Sequence, residues 1–193
     1  MVPVCGIDEA GRGPLAGPVV AAAVILPPHF PEELLDDSKR LSEKRRQAAA
    51  AVIRENACWG IGAAGWQTID ELNILAATLL AMERAHRAAM RKFPFWRERH
   101  QLPVVVPTVI VDGTALPRLD CPCRAEPKAD ARYPAVMAAS IIAKTCRDAL
   151  MIAFDRMYPE YGYAQHKGYP TAAHRAVCRQ LGPSPIQRKS FQY

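Results

Sequence analysis

Apolar residues in this chain fall into short continuous runs and longer helical stripes. Val2 to Ile7 and Gly17 to Leu26 are β-rich runs joined by the tight turn G-R-G-P, which predicts two adjacent antiparallel strands. Cys58 to Gly65 reads as a third strand. Val104 to Val111 reads as a fourth, stopping at Asp112-Gly113, a carboxylate at a strand end followed by a turn residue. Ser42 to Ala57 is helical with Ser42 as cap. Thr68 and Glu71 form a capping box before the stripe Leu72, Leu75, Leu79 and Met82, which predicts a helix to about Met90. Phe93 to Pro103 is expected as an irregular surface loop. Pro134 suits the first turn of a long helix, Ala135 to about Met157. Thr171 caps a last helix to Leu181, with Gly182 and Pro183 at its stop. A hairpin first and helices later indicate an α/β fold, a mixed sheet covered by helices.

With 193 residues, half of them apolar, the chain fits one domain, 1–193. No apolar run reaches the roughly 18 residues of a membrane span, because Pro14, Pro18, Pro27 and Pro28 bracket the longest. The six cysteines form no paired framework and the N-terminus lacks a secretion-signal layout, so a soluble cytoplasmic protein is expected. The C-P-C of Cys121 and Cys123 lacks the further ligands that a zinc site requires. The net charge is +6, and from Lys144 onward eight basic residues face three acidic ones. A basic lobe of this kind suits a polyanion, whose neutralised phosphates release counterions.

Asp8 and Glu9 follow an apolar strand and precede Ala10-Gly11-Arg12-Gly13. Neighbours on a regular strand point to opposite faces, so both serve one site only where the strand ends or a backbone carbonyl joins in. Gathering them with Asp112 at strand ends would raise their pKa values and oppose folding unless a cation binds. Hard divalent ions with oxygen ligands answer that repulsion. Glycines at 11 and 13 would let backbone N–H groups approach a phosphate with no Cβ in the way.

The blocks G-I-D-E-A-G-R-G-P-L-A-G-P-V-V-A-A-A-V-I-L (Gly6 to Leu26), D-S-K-R-L-S-E-K-R-R (Asp37 to Arg46) and I-D-E-L-N-I-L-A-A-T (Ile69 to Thr78) resemble ribonuclease HII, the type 2 ribonuclease H family. The likeness continues in V-D-G (Val111 to Gly113), A-A-S-I-I-A-K-T-C-R-D (Ala138 to Asp148) and Y-G-Y-A-Q-H-K-G-Y-P-T (Tyr161 to Thr171), in the family's order. The resemblance implies the ribonuclease H fold, a five-stranded mixed sheet flanked by helices, with a C-terminal helical part (about 158–193) that helps to grip the substrate. It implies four metal-binding acids, Asp8, Glu9, Asp112 and Asp130, holding two Mn2+ or Mg2+ ions. Ala129 stands where the family often has glycine, and Asp120 and Asp148 remain alternatives for the fourth acid. Asp148 also reads as a helix residue pairing with Lys144 or Arg147.

By the same resemblance, Gly11, Arg12 and Gly13 contact the ribonucleotide at an RNA–DNA junction, and Tyr169 stacks on the neighbouring deoxyribose. His166 and Lys167 suggest a phosphate-facing loop, and Lys39, Ser140, Lys144 and Arg188 are further candidates for backbone contacts. Gln187 stands where the family commonly has histidine. The implied activity is endonucleolytic hydrolysis of RNA in RNA/DNA hybrids, and of single ribonucleotides in duplex DNA, by a monomer. After Phe191 no long partner-binding tail is expected. Two other readings compete: a hybrid-binding module without catalysis, and a type 1 ribonuclease H or transposase-like nuclease on the same fold.

Overall fold

Val19–Ile25 is apolar at every position and buried throughout, so it needs a helical layer on each side. The computed structural model, which describes residues 2–35 and 41–192, supplies both layers. Five strands, β1 (Val4–Ala10), β2 (Val19–Ile25), β3 (Cys58–Ala64), β4 (Thr108–Asp112) and β5 (Cys123–Glu126), lie in the order β3-β2-β1-β4-β5. β1 to β3 pair antiparallel, and β4 and β5 run parallel to β1. Among the described residues the α-helices are α1 (Glu43–Asn56), α2 (Trp66–Leu72), α3 (Ile74–Arg99), α4 (Pro134–Met157), α5 (Tyr163–His166) and α6 (Ala172–Leu181). No helix among the described residues is long and apolar enough to cross a membrane.

One sheet face packs Cys5, Ile7, Val19, Ala21 and Ala23 against α3; the other packs Ala22 and Val24 against α1 and α4. Both covering helices approach to backbone contact. A Cβ at Gly62 would lie 2.0 Å from the Ala81 carbonyl oxygen, and one at Gly6 would lie 2.2 Å from the Ala135 carbonyl carbon. α3 answers this closeness with an alanine stripe, Ala77, Ala81, Ala85 and Ala89, all fully buried. The C-terminal segment packs back onto α4 through a smaller core of Ala16, Met151, Tyr161, Tyr163 and Ile186.

Several expectations change here. Thr68 does not start a helix, because α2 begins at Trp66 after Gly65. The long helix starts anew at Asn73, whose left-handed backbone (φ 73°) breaks the two and whose side chain accepts from the Leu75 and Ala76 amides. Leu72 and Leu75 straddle that break and are exposed, so the expected leucine stripe does not form. The segment read as a loop is helical to Arg99, through Pro94. Tertiary contacts compensate for the lost amide: Phe93 is buried, and the Trp96 indole donates to the Asn56 carbonyl at 2.9 Å. β4 begins at Thr108, leaving Val104 to Val106 outside the sheet between Pro103 and Pro107. β5, with the polar sequence CRAE and no full burial, has no apolar signal of its own. All six cysteines are free.

Adding a methyl group at Gly62 must push α3 off the sheet. Gly62→Ala is expected to cost about 3 kcal/mol, a fall of about 6–12 °C in Tm on thermal unfolding followed by circular dichroism.

Candidate active site

The parallel pairing of β1 with β4 ends at Ile7–Val111, whereas its pairing with β2 continues to Ala10–Val20. β1 is therefore open on its β4 side where Asp8 and Glu9 sit, and both neighbours reach one cleft although they alternate on the strand. Asp112, the last residue of β4, stands beside them. Its Oδ1 accepts the Ala129 amide at 2.8 Å, which ties the turn carrying Asp130 (Ala129–Ala131) to the end of β4. The left-handed residue of that turn is Lys128 (φ 59°), so alanine at 129 fits without strain.

The resulting cleft, about 240 Å³, is lined by Asp8, Glu9, Asp112 and Asp130 together with Gly11, Arg12, Gly13, Ser140, Lys144 and Tyr169. Asp120 lies instead in a separate hollow beside His86, and Asp148 is ion-paired to Lys144 at 2.7 Å. Neither alternative for the fourth acid reaches the cleft. Burial pushes the Asp8 carboxyl well above the usual range, with Glu9 and Asp112 adding to the rise and a Ser140 hydrogen bond opposing it. Glu9 is raised for the same first reason, although Arg12, 3.5 Å away, pulls it back. Among the described residues no three acid, histidine or cysteine side chains converge as a finished metal cage. The all-oxygen donor set and the raised carboxyls nevertheless suit a hard cation that completes its shell with water or phosphate.

The loop following β1 is held from beneath. Gly11 (φ 101°) leaves no room for a Cβ, which would lie 2.0 Å from Arg147 Nε. Arg147 donates to the carbonyls of Pro18 (3.0 Å), Ala16 (3.2 Å) and Lys167 (3.0 Å). Arg188 donates to those of Gly17 (2.9 Å), Arg12 (2.9 Å) and Gly11 (2.6 Å). Both are fully buried, and burial lowers them to about 10 and about 9 respectively. Arg188 thus supports the loop and is not the direct phosphate contact expected of it. Asp70 holds the adjacent strap by accepting from the Lys189 and Ser190 amides and the Ser190 hydroxyl.

Ser140 lines the cleft but is bonded to Asp8, so it orients that carboxylate. Lys167 does not line it, and its Nζ donates to the Ala164 carbonyl. His166 is also internal: its Nε2 donates to the Tyr161 carbonyl (2.8 Å) and its Nδ1 accepts the Gly168 amide (3.1 Å). His174 stacks on it at 4.3 Å and donates through Nδ1 to the Tyr169 carbonyl (3.0 Å). Burial holds both rings below the ordinary histidine range and their bonds support the Tyr169 segment, so His166, like Lys167, is turned inward and not towards a phosphate as expected. Gln187 is buried away from the cleft. Lys39 lies outside the described residues. Arg147 went unread as a site-organising residue, although Ser140, Lys144 and Arg147 repeat at helical spacing on one face of α4.

A carboxyl pushed up by folding weakens the fold once the unfolded chain ionises, so stability without cation falls as pH rises from about 4. Asp8→Asn removes that charge. In chelator, thermal melts are expected to show the variant above the parent at pH 7, with the gap narrowing as pH falls to about 4; equal curves at both pH values would contradict this.

The family description "Ribonuclease HII" matches residues 5–193. A ribonuclease HII from Dechloromonas aromatica is 52% identical over 189 residues, covering 97% of this chain and 90% of the relative. The crystal structure of ribonuclease H2 from Pyrococcus horikoshii superposes with a TM-score of 0.71 at 26% identity, covering 98% of this chain and 94% of that one. Bst-RNase HIII in complex with Mn2+ shares the fold at a TM-score of 0.67 and 19% identity, covering 94% of this chain and 63% of that one. With half its residues shared with a named relative along nearly its whole length, on the same five-stranded scaffold, the chain belongs to the ribonuclease HII family and is a ribonuclease H hydrolase.

Proposed function

We propose that this enzyme hydrolyses the RNA strand of RNA/DNA hybrids and cuts on the 5′ side of single ribonucleotides in duplex DNA, leaving a 5′-phosphate. Ribonucleotide removal during replication and repair is its role, carried out by a monomer in the cytoplasm. The observation that carries this reading is the meeting in one cleft of four acids with a glycine-bracketed loop and an exposed tyrosine.

Asp8, Glu9, Asp112 and Asp130 would hold two Mn2+ or Mg2+ ions. Bound there, divalent cations would supply the chemistry of lowering the pKa of a water and offsetting charge at the leaving oxygen. Ser140 fixes the orientation of Asp8, and Asp112 fixes the turn that presents Asp130. Gly13 is exposed, and a Cβ there would meet nothing within 4 Å, so backbone at this point is open to a sugar. A 2′-hydroxyl both donates and accepts, which lets backbone groups of Gly11 to Gly13 separate ribose from deoxyribose. Tyr169, 38% exposed, packs on the deoxyribose next to the ribonucleotide. Arg12 and Lys144 line the same cleft and place positive charge beside the phosphates, while the C-terminal part helps to grip the duplex.

The test is a labelled DNA duplex with one embedded ribonucleotide, incubated with Mn2+ or Mg2+ and with chelator. One cut with a 5′-phosphate product is expected with metal and none with chelator, and binding without a cut would overturn the reading. Asp8→Asn is expected to lower kcat by about a hundredfold to a thousandfold while the protein stays folded. Tyr169→Ala should retain hybrid binding and lose preference for the junction, read as the ratio of kcat/KM on the two substrates.

A further inference from the structure

Two buried guanidinium groups without an ion-pair partner are costly, and a structure keeps them only where their hydrogen bonds do specific work. Arg147 and Arg188 are fully buried, and among the described residues neither forms a salt bridge. Their hydrogen bonds are distributed differently. The Arg188 guanidinium donates its hydrogen bonds to the loop after β1, at Gly11, Arg12 and Gly17, and lies 5.0 Å from the centroid of the Phe191 ring. Arg147 bonds that loop at Ala16 and Pro18 and also bonds Lys167, two residues before Tyr169. The same guanidinium lies beneath the Tyr169 ring, 5.7 Å from its centroid. Close packing reinforces the joint, since the Leu15 amide donates to the Gly168 carbonyl at 2.8 Å and a Cβ on Gly168 would lie 2.7 Å from the Ala16 carbonyl oxygen.

The loop and the tyrosine are far apart in sequence and would read adjacent nucleotides. A continuous hybrid presents a 2′-hydroxyl at every position of the RNA strand, so the loop alone can engage it. A junction presents one ribose and one deoxyribose at fixed separation, so loop and tyrosine must be correctly spaced at once. We propose that Arg147 is a positioning residue that sets this spacing and thereby the preference for an RNA–DNA junction over a continuous hybrid. The inference rests on the junction reading proposed above. Lysine at 147 keeps the positive charge but lacks the planar fork that reaches three carbonyls.

The experiment compares kcat/KM for a duplex with one ribonucleotide and for a continuous RNA/DNA hybrid, in wild type, Arg147→Lys, Arg188→Lys, Tyr169→Ala and the Arg147→Lys/Tyr169→Ala double variant. Taking the ratio of the two substrates within one preparation cancels any inactive fraction, so partial misfolding cannot imitate the effect. In Arg147→Lys the junction-to-hybrid ratio is expected to fall about tenfold or more, the scale of a small misplacement of a positioning contact. In Arg188→Lys both substrates should lose by similar factors, because only the loop is loosened. If Arg147 acts through Tyr169, Arg147→Lys should lower the ratio little further in the Tyr169→Ala background. Equal losses on both substrates in Arg147→Lys, or full additivity with Tyr169→Ala, would overturn the spacing role while the junction reading of the wild-type enzyme still stands. A wild type that cuts the hybrid and never the single ribonucleotide would overturn the junction reading and this inference together.

Discussion

The parallel register between β1 and β4 is the constraint on which the active site depends. With Ile7 opposite Val111, the next residue on each strand is an acid, Asp8 on one and Asp112 on the other. A slip of two residues would keep every side chain on its face and yet move one carboxylate by roughly 6.6 Å along the strand. Parallel strands cannot be joined by a turn, so the connection from β1 to β4 runs through β2, α1, β3, α2 and α3. α3 and α4 are pressed to backbone contact on opposite faces at Gly62 and Gly6, and the sheet between them has little freedom to slide. The helices stabilise the register as much as they cover the core.

Charge is partitioned around this frame in two layers. At the cleft, carboxylates sit together under burial that penalises their ionised forms. Beneath the adjoining loop, two guanidinium groups are buried as cations and bonded to carbonyl oxygens. Among the described residues neither forms an ion pair with the carboxylates, and their bonds go to the loop backbone instead. Of the eight basic residues that give the C-terminal part its positive balance, these two face inward, and the outer surface is less basic than composition alone implies.

Much of this was legible in the residues. The hairpin strands, the Ser42 and Thr171 caps, the long helix opened by Pro134 and the strand ending on Asp112 all follow from local signals that tertiary packing did not override. The acids of the cleft could be named from their setting after apolar strands, or from resemblance in the case of Asp130. Elsewhere a stronger interaction prevailed. The Thr68 capping box lost to the left-handed Asn73, the Pro94 stop lost to the packing of Phe93 and Trp96, and β5 was hidden because an edge strand needs no apolar alternation. Arg188 and Lys167 looked like phosphate contacts because sequence reports charge without direction, and both point at backbone.

The bond from Arg188 to the Gly11 carbonyl joins positions 177 residues apart. Such a contact is among the last that chain topology allows, because it closes a loop containing nearly every other element. During synthesis the strands bearing Asp8 and Asp112 emerge and can pair long before residue 188 exists. The acidic end of the cleft is therefore built early, and the loop after β1 is secured late. A nascent chain passes through a stage in which Asp8 and Asp112 are in place and the buried arginine that braces the Gly11 loop is not.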